Sequence, residues 1–354
     1  MTISIFDKRE MTRAFAEVYA PTTYLKQAYF SNSPTEFHKT TKIDIDKVKG
    51  DRAISTYVTK EDGSIKVDDK TFGTNTFTVP AIKEHTFTTA GQVINDRLPG
   101  ENIYEDVSPS QRSQIKLAND QAMLSDRADR AEEKQCSELL QTGIVTVVYA
   151  NGSVGTIDFG LLASHKLVLT GTDAWDDAGS KPLRNLLTGF EKVKDDSGKL
   201  VADVIMGSDA ATDFIENADV KSQLDTRRID LGEINPRALS EQGVRYIGTL
   251  KRPTIDIWEY VELYDSPTSS KQVPYIDRKK VVMIGAGADF RQHYGPIHDM
   301  DLIDGIETAE SFLTERFFKT VYKDDPSSRK LIMQSCPLMA AHQINALYVI
   351  TALE

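Results

Sequence analysis

The sequence is short of the residues that carry covalent cross-links and chemistry. It has two cysteines, two tryptophans and six histidines in 354 residues. Cys136 and Cys336 lie far apart in the chain and in no metal-ligand spacing, which excludes a disulfide framework and predicts buried, inert thiols in a reducing compartment. No run approaches the 18 or more apolar residues of a membrane helix; the longest, near Ile144–Ala150, is short and contains Thr146. The charges of Asp7, Lys8 and Arg9 arrive too early for a signal-peptide core. A soluble protein made in the cytoplasm is expected. Basic charge is also in deficit: 42 Lys and Arg stand against 53 Asp and Glu, a net charge of −11. Wrapping nucleic acid needs clustered cations, and Lys251-Arg252 and Arg278-Lys279-Lys280 are too short for that.

What is present is ordinary globular material, 40% apolar and 27% charged, of a length that suggests two domains. Residues 1–40 read as an arm. Asp7–Val18 fits a short helix ended by Pro21, and Leu25, Ala28, Tyr29 and Phe30 form a second apolar stripe. Two placements are open: packed back on its own domain, or crossed onto another subunit. Ile43, Ile45 and Val48 alternate as in a half-buried strand, and so does Ala53–Val58. A polar connection over 59–75 leads to strands at Phe77–Val79 and Ile82–Thr88. A connection of that length is unusual and suggests a two-stranded protrusion, marginal by itself in water.

Ser108–Gly143 is the clearest element. Ser108 suits a cap, Pro109 the first turn and Gly143 the stop. Ile115, Ala118, Ala122, Leu124, Ala128, Ala131, Cys136, Leu139 and Leu140 between them define a stripe. The stripe is too alanine-rich for sustained heptads. A hairpin follows, with Asn151-Gly152 suiting a type I′ turn. A compact α/β piece comes next. It has a helix from Ser180 to Val193, a buried strand Leu200–Met206, a helix capped by Ser208, and strands near Val244–Leu250 and Ile255–Leu263. Strands return at Lys280–Ile284, Phe312–Val321, Leu331–Cys336 and Ala346–Leu353.

Catalytic candidates are few. Gly285-Ala-Gly287 lacks the third glycine and the helix of a dinucleotide turn. His293, His298, Asp299, Asp301 and Asp304 are the densest group of metal-ligand types, and a metal-dependent enzyme built on them is the reading of a different class. Their spacing matches neither a zinc pair nor a calcium loop, so a solvated acidic loop is expected. His38, His85, His165 and His342 stand alone. No nucleophile with a nearby base is evident. No catalytic residue, metal or cofactor is expected.

Two stretches carry a resemblance: Lys221-Ser-Gln-Leu-Asp-Thr-Arg-Arg228, and the C-terminal series Glu307–Ser311, Tyr322–Pro326, Leu331-Ile-Met-Gln-Ser-Cys-Pro-Leu-Met-Ala340 and Ala346–Leu353. With Pro21–Phe30 and Phe77-Thr-Val-Pro-Ala-Ile-Lys83, they resemble the major capsid (head) proteins of the phage lambda type, in order along nearly the whole chain. The resemblance implies an α+β fold like the Hong Kong 97 phage capsid. Residues 1–40 would be the N-terminal arm, and 51–80 the extended loop. Residues 41–50 and 81–150 would form a peripheral domain with a spine helix at 108–143. Residues 151–300 would form the axial α/β domain, and 301–354 the return strands of the peripheral domain. It further implies a subunit that self-assembles into hexamers and pentamers of an icosahedral shell enclosing DNA. The implied partners are a portal, a separate scaffolding protein and a decoration protein; the implied location is the virion, after assembly in the host cytoplasm. Leu25, Tyr29, Phe30, Ile65, Lys66, Val67, Phe72, Phe77, Arg227 and Arg228 are the residues then expected between subunits. Lys60, Lys66 and Lys70 suit a solvated loop, and no cross-link is expected from them. An encapsulin-like compartment of the same fold is the alternative.

Overall fold

Three short runs, Val204-Ile-Met206, Val281-Val-Met-Ile284 and Leu347-Tyr-Val-Ile350, are apolar without alternation. That is the signature of strands covered on both faces. In the computed structural model they lie in one six-stranded sheet. Its order is Lys166–Val168, Leu347–Thr351, Lys280–Gly285, Val201–Met206, Thr254–Tyr260 and Val244–Lys251. Alternate side chains go to opposite faces. Val204, Met206, Val281, Met283, Tyr348 and Ile350 point into one core, while Ile205, Val282, Ile284, Leu347 and Val349 point into another. The structure describes residues 23–48, 72–94, 108–221, 243–251, 253–266, 271–303, 306–325 and 327–354.

Two helices cover the first face. Pro182–Ser197 contributes Leu183, Leu186 and Val193, and Ser208–Glu216 contributes Ala210, Ala211 and Phe214. Neither serine expected to cap them does so. Lys181 precedes the first helix with no side-chain cap, while Ser180 binds the Trp175 carbonyl and Asn217. Gly207 precedes the second, whose early N–H at Ala210 donates to the Arg278 carbonyl, so a neighbouring backbone replaces the cap. The last third of the long helix Pro109–Thr142, with Cys136, Leu139 and Leu140, covers the other face. Ser108 and Gln111 form a reciprocal capping box at its start, and Gly143 ends it at φ 73°.

The first half of that helix packs on a separate antiparallel sheet, Phe317–Asp324, Ser327–Ser335 and Ile82–Thr89. Leu124, Ala128, Leu331 and Met333 form a small core between them. Bidentate Arg127–Glu84 contacts at 2.6 and 2.8 Å reinforce it. One helix of 34 residues, about 50 Å long, thus joins two sheets.

Three expectations change at this level. Leu347–Thr351, expected among return strands of the peripheral piece, is a central strand of the six-stranded sheet, because its run is apolar on both faces. The stretch Phe312–Val321 is broken, with strands Ile306–Phe312 and Phe317–Asp324 in different sheets. The Asn151-Gly152 hairpin is not a two-residue type I′ turn: Gly152 donates to the Tyr149 carbonyl at φ 81°, and Tyr149 N–H donates to Ser153. That is a three-residue loop with a left-handed glycine, held by the Asn151 side chain on Ser153. The expected strand Ala53–Val58 and the arm helix Asp7–Val18 lie outside the described residues.

Candidate assembly site

The long helix shows two apolar faces where the sequence suggested one stripe. At 100° per residue, Leu117, Leu124 and Ala128 share a side, and this side meets the three-stranded sheet. Ile115, Ala118 and Ala122 fall on the opposite side, where the chain leaves them exposed; Ile115 is 48% exposed and nearby Met123 47%. Further along, Glu132 to Gln141 are enclosed almost all round.

The enclosed part anchors the arm. Leu25 and Lys26 open a short helical turn and donate their N–H groups to the Glu133 carboxylate at 2.8 and 3.0 Å. Tyr260 donates its hydroxyl to the same group at 3.0 Å. Lys26 Nζ reaches Glu132 at 2.6 Å, and Arg316 reaches Asp129 and Glu132. Desolvation lifts the Glu133 carboxyl from its ordinary 4.5 to about 7, against the pull of its hydrogen bonds. The folded state then holds a proton between pH 4.5 and 7 that the unfolded chain has released. The expected outcome is that this group's contribution to stability falls as pH rises through that window, by on the order of 3 kcal/mol. Urea midpoints of wild type and Glu133→Gln across pH 4.5–7.5 check it. An identical pH slope in both proteins would refute the assignment.

The arm's apolar side chains follow the backbone inward. Leu25 and Phe30 are fully buried and Tyr29 nearly so, all within the chain's own core. Phe30 stacks on Phe290 at 5.3 Å, and Tyr24 lies 6.0 Å from Tyr260. Leu25, Tyr29 and Phe30 were expected between subunits; within the subunit its own core already removes them from solvent. Phe77 is likewise covered within the subunit. It pairs across from Ile43 in the ribbon Lys42–Val48 and Phe72–Thr78 and lies 4.9 Å from Phe159, at the ribbon's buried foot. Phe72 ends the far end of this pairing, opposite Val48. Ile65, Lys66, Val67, Arg227 and Arg228 lie outside the described residues.

The sequence reading passed over Glu132 and Glu133. The signal was there: Glu132 sits four residues from both Ala128 and Cys136, on the apolar stripe itself. It also missed a histidine cluster. Glu36 and His38, two apart on the strand around Glu36–Phe37, lie beside His293 on the parallel strand Phe290–Tyr294. His38 Nε2 is 2.9 Å from His293 Nδ1, and His293 Nε2 is 3.0 Å from His342 Nε2. Glu36 Oε2 is 3.4 Å from His293 Nδ1, while Arg291 holds Oε1. Burial lowers His293 to about 4 and also lowers His342. His38 and His342 are therefore not solitary.

The 293–304 group does not converge. His298, Asp299 and Asp301 follow one another on a strand, Ile297–Ile303, that pairs with Ile306–Phe312; Asp299 binds Lys319 at 2.7 Å. It is a hairpin rather than a loop, on a strand other than that of His293, and alternation sends His298 and Asp299 to opposite faces of it. Asp304 lies outside the described residues. His165 is a satisfied core histidine, bonded to the Leu347 carbonyl and Asp196. Both cysteines are free, with thiol pKa values raised by burial. Among the described residues no helix is long and apolar enough to cross a membrane.

Comparison with known proteins places this architecture. Structurally the chain is similar to a prophage protein of E. coli CFT073 assigned as a capsid protein, with a TM-score of 0.65 at 12% identity over 94% of this chain and 93% of that one. It is also similar to a phage-related protein of Bordetella bronchiseptica RB50 (TM-score 0.51, 13% identity, 94% and 92% covered). A third similarity is to the capsid of Myoviridae phage XM1 (TM-score 0.50, 11% identity, 99% of both chains). These likenesses establish the fold, of the Hong Kong 97 phage capsid type. No curated protein matches in sequence. Residues 7–352 match a family of structural shell proteins, and over that span the chain belongs to the phage major capsid protein E family.

Proposed function

We propose that this capsid subunit forms hexamers and pentamers of an icosahedral shell around a double-stranded DNA genome, with no catalysis of its own. Assembly takes place in the host cytoplasm with a scaffolding protein, a portal and a decoration protein. The observation that carries this is the uncovered apolar face of the long helix at Ile115, Ala118 and Ala122, opposite the face its own sheet covers. Its occupant is a second copy of the chain. A helix with one apolar face satisfied within its subunit and one left open can bridge subunits in a closed shell. The net charge of −11 suits a container that encloses DNA without gripping it.

Negative-stain electron microscopy of the purified protein, with and without a co-expressed scaffolding protein, tests the reading. Closed shells or rings of five and six subunits support it; a monomer in both preparations overturns it. Ile115→Glu combined with Ala118→Glu is expected to abolish particles. Both sites are exposed in the subunit, so its stability should change by no more than about 0.5 kcal/mol per site. Normal particles from that variant would remove the helix face from the interface.

A further inference from the structure

The histidine cluster has the geometry of a cation site. Glu36 Oε2, His38 Nε2 and His293 Nδ1 form a triangle with sides of 2.9, 3.4 and 3.9 Å. Ligand atoms at about 2.1 Å from a tetrahedral ion stand about 3.4 Å apart, so these sides straddle the required spacing. We infer that Glu36, His38 and His293 bind one divalent transition-metal ion of the zinc class, which fastens the end of the arm to strand Phe290–Tyr294. Two imidazoles and one carboxylate favour zinc or cobalt over calcium or magnesium, which take oxygen ligands. A water completes the coordination.

The surroundings are built for the role. Each outer partner orients a ligand. Arg291 binds Glu36 Oε1 and leaves Oε2 facing the two rings. His293 Nε2 contacts His342 Nε2, so a proton on His293 Nε2 leaves Nδ1 free to ligate. His293 is 1% exposed, so its ring is held in place by the core around it. Glu36 and His38 are only partly covered, which leaves an entry path.

Cobalt(II), then zinc(II), titrated into the full chain stripped by chelator, tests this. One cobalt per chain is expected, with the visible absorption of a tetrahedral nitrogen and oxygen site, displaced by zinc. His38→Ala is the variant of choice, because His38 lies near the surface and His293 in the core. It should weaken zinc binding about a hundredfold and remove the rise in thermal midpoint that zinc produces in the wild type. His298→Ala, on the separate hairpin, should behave as wild type. Absence of the cobalt band, or equal zinc affinity in His38→Ala and wild type, overturns the assignment.

Discussion

Replacing Glu133 by alanine is expected to destabilise the subunit by about 3–5 kcal/mol and to free the segment that begins at Leu25. The carboxyl accepts from two backbone N–H groups and the Tyr260 hydroxyl, in a place closed to water. Each donor orphaned in such a site costs about 1–3 kcal/mol. The apolar groups that follow, Leu25 and Phe30, are fully buried, and each contributes about 1.5–3 kcal/mol only while the backbone holds it in place. Loss of the anchor therefore exposes more than the substituted residue. Urea denaturation gives the stability change, and limited proteolysis between residues 23 and 40 reports the release. Glu133→Gln keeps a carbonyl oxygen and is expected to lose about 1 kcal/mol. A wild-type midpoint and digestion pattern in Glu133→Ala would mean that packing alone seats the arm.

Gly207→Ala is expected to cost about 3 kcal/mol, far more than one methyl group added on the surface. Gly207 joins the central strand Val201–Met206 to the helix Ser208–Glu216. A Cβ there would lie 2.2 Å from the Asp277 carbonyl and 2.6 Å from Arg278 Cα. Both are backbone atoms, held by the Gly207 N–H to Lys280 and the Ala210 N–H to Arg278 hydrogen bonds at 2.9 Å. Its own φ is −71°, so the cost is steric rather than conformational. Gly248→Ala, with nothing within 4 Å of its Cβ position, is the matched control. Equal urea midpoints for the two variants would show that the Asp277–Arg278 turn yields at little cost.

The legible parts of the molecule were those set by short-range rules. The long helix was readable because Ser108, Pro109 and Gly143 punctuate a helical stripe, and its observed bounds agree. The ribbon foot was readable from the alternation of Ile43 and Ile45. The unbroken apolar runs indicated buried strands, though not which sheet would take each. Leu347–Thr351 went to the six-stranded sheet because only there are both faces covered. The wheel of the long helix contained both apolar sides, but periodicity alone does not say which side the chain itself will cover.

The candidate sites divide in the same way. Local pattern determined the chain order of arm, ribbon, helix and α/β piece and carried the family resemblance, which in turn implied the fold class, because caps, periods and motifs are properties of neighbours in sequence. Tertiary structure decided where the arm's apolar groups go, since Leu25 and Phe30 meet Glu133 and Phe290 only when segments more than 100 residues apart come together. It also decided that His38, His293 and His342 form one group and that His298 and Asp299 do not. Ligation depends on the separation of atoms in space, and strand pairing, not spacing along the chain, brought Glu36 opposite His293.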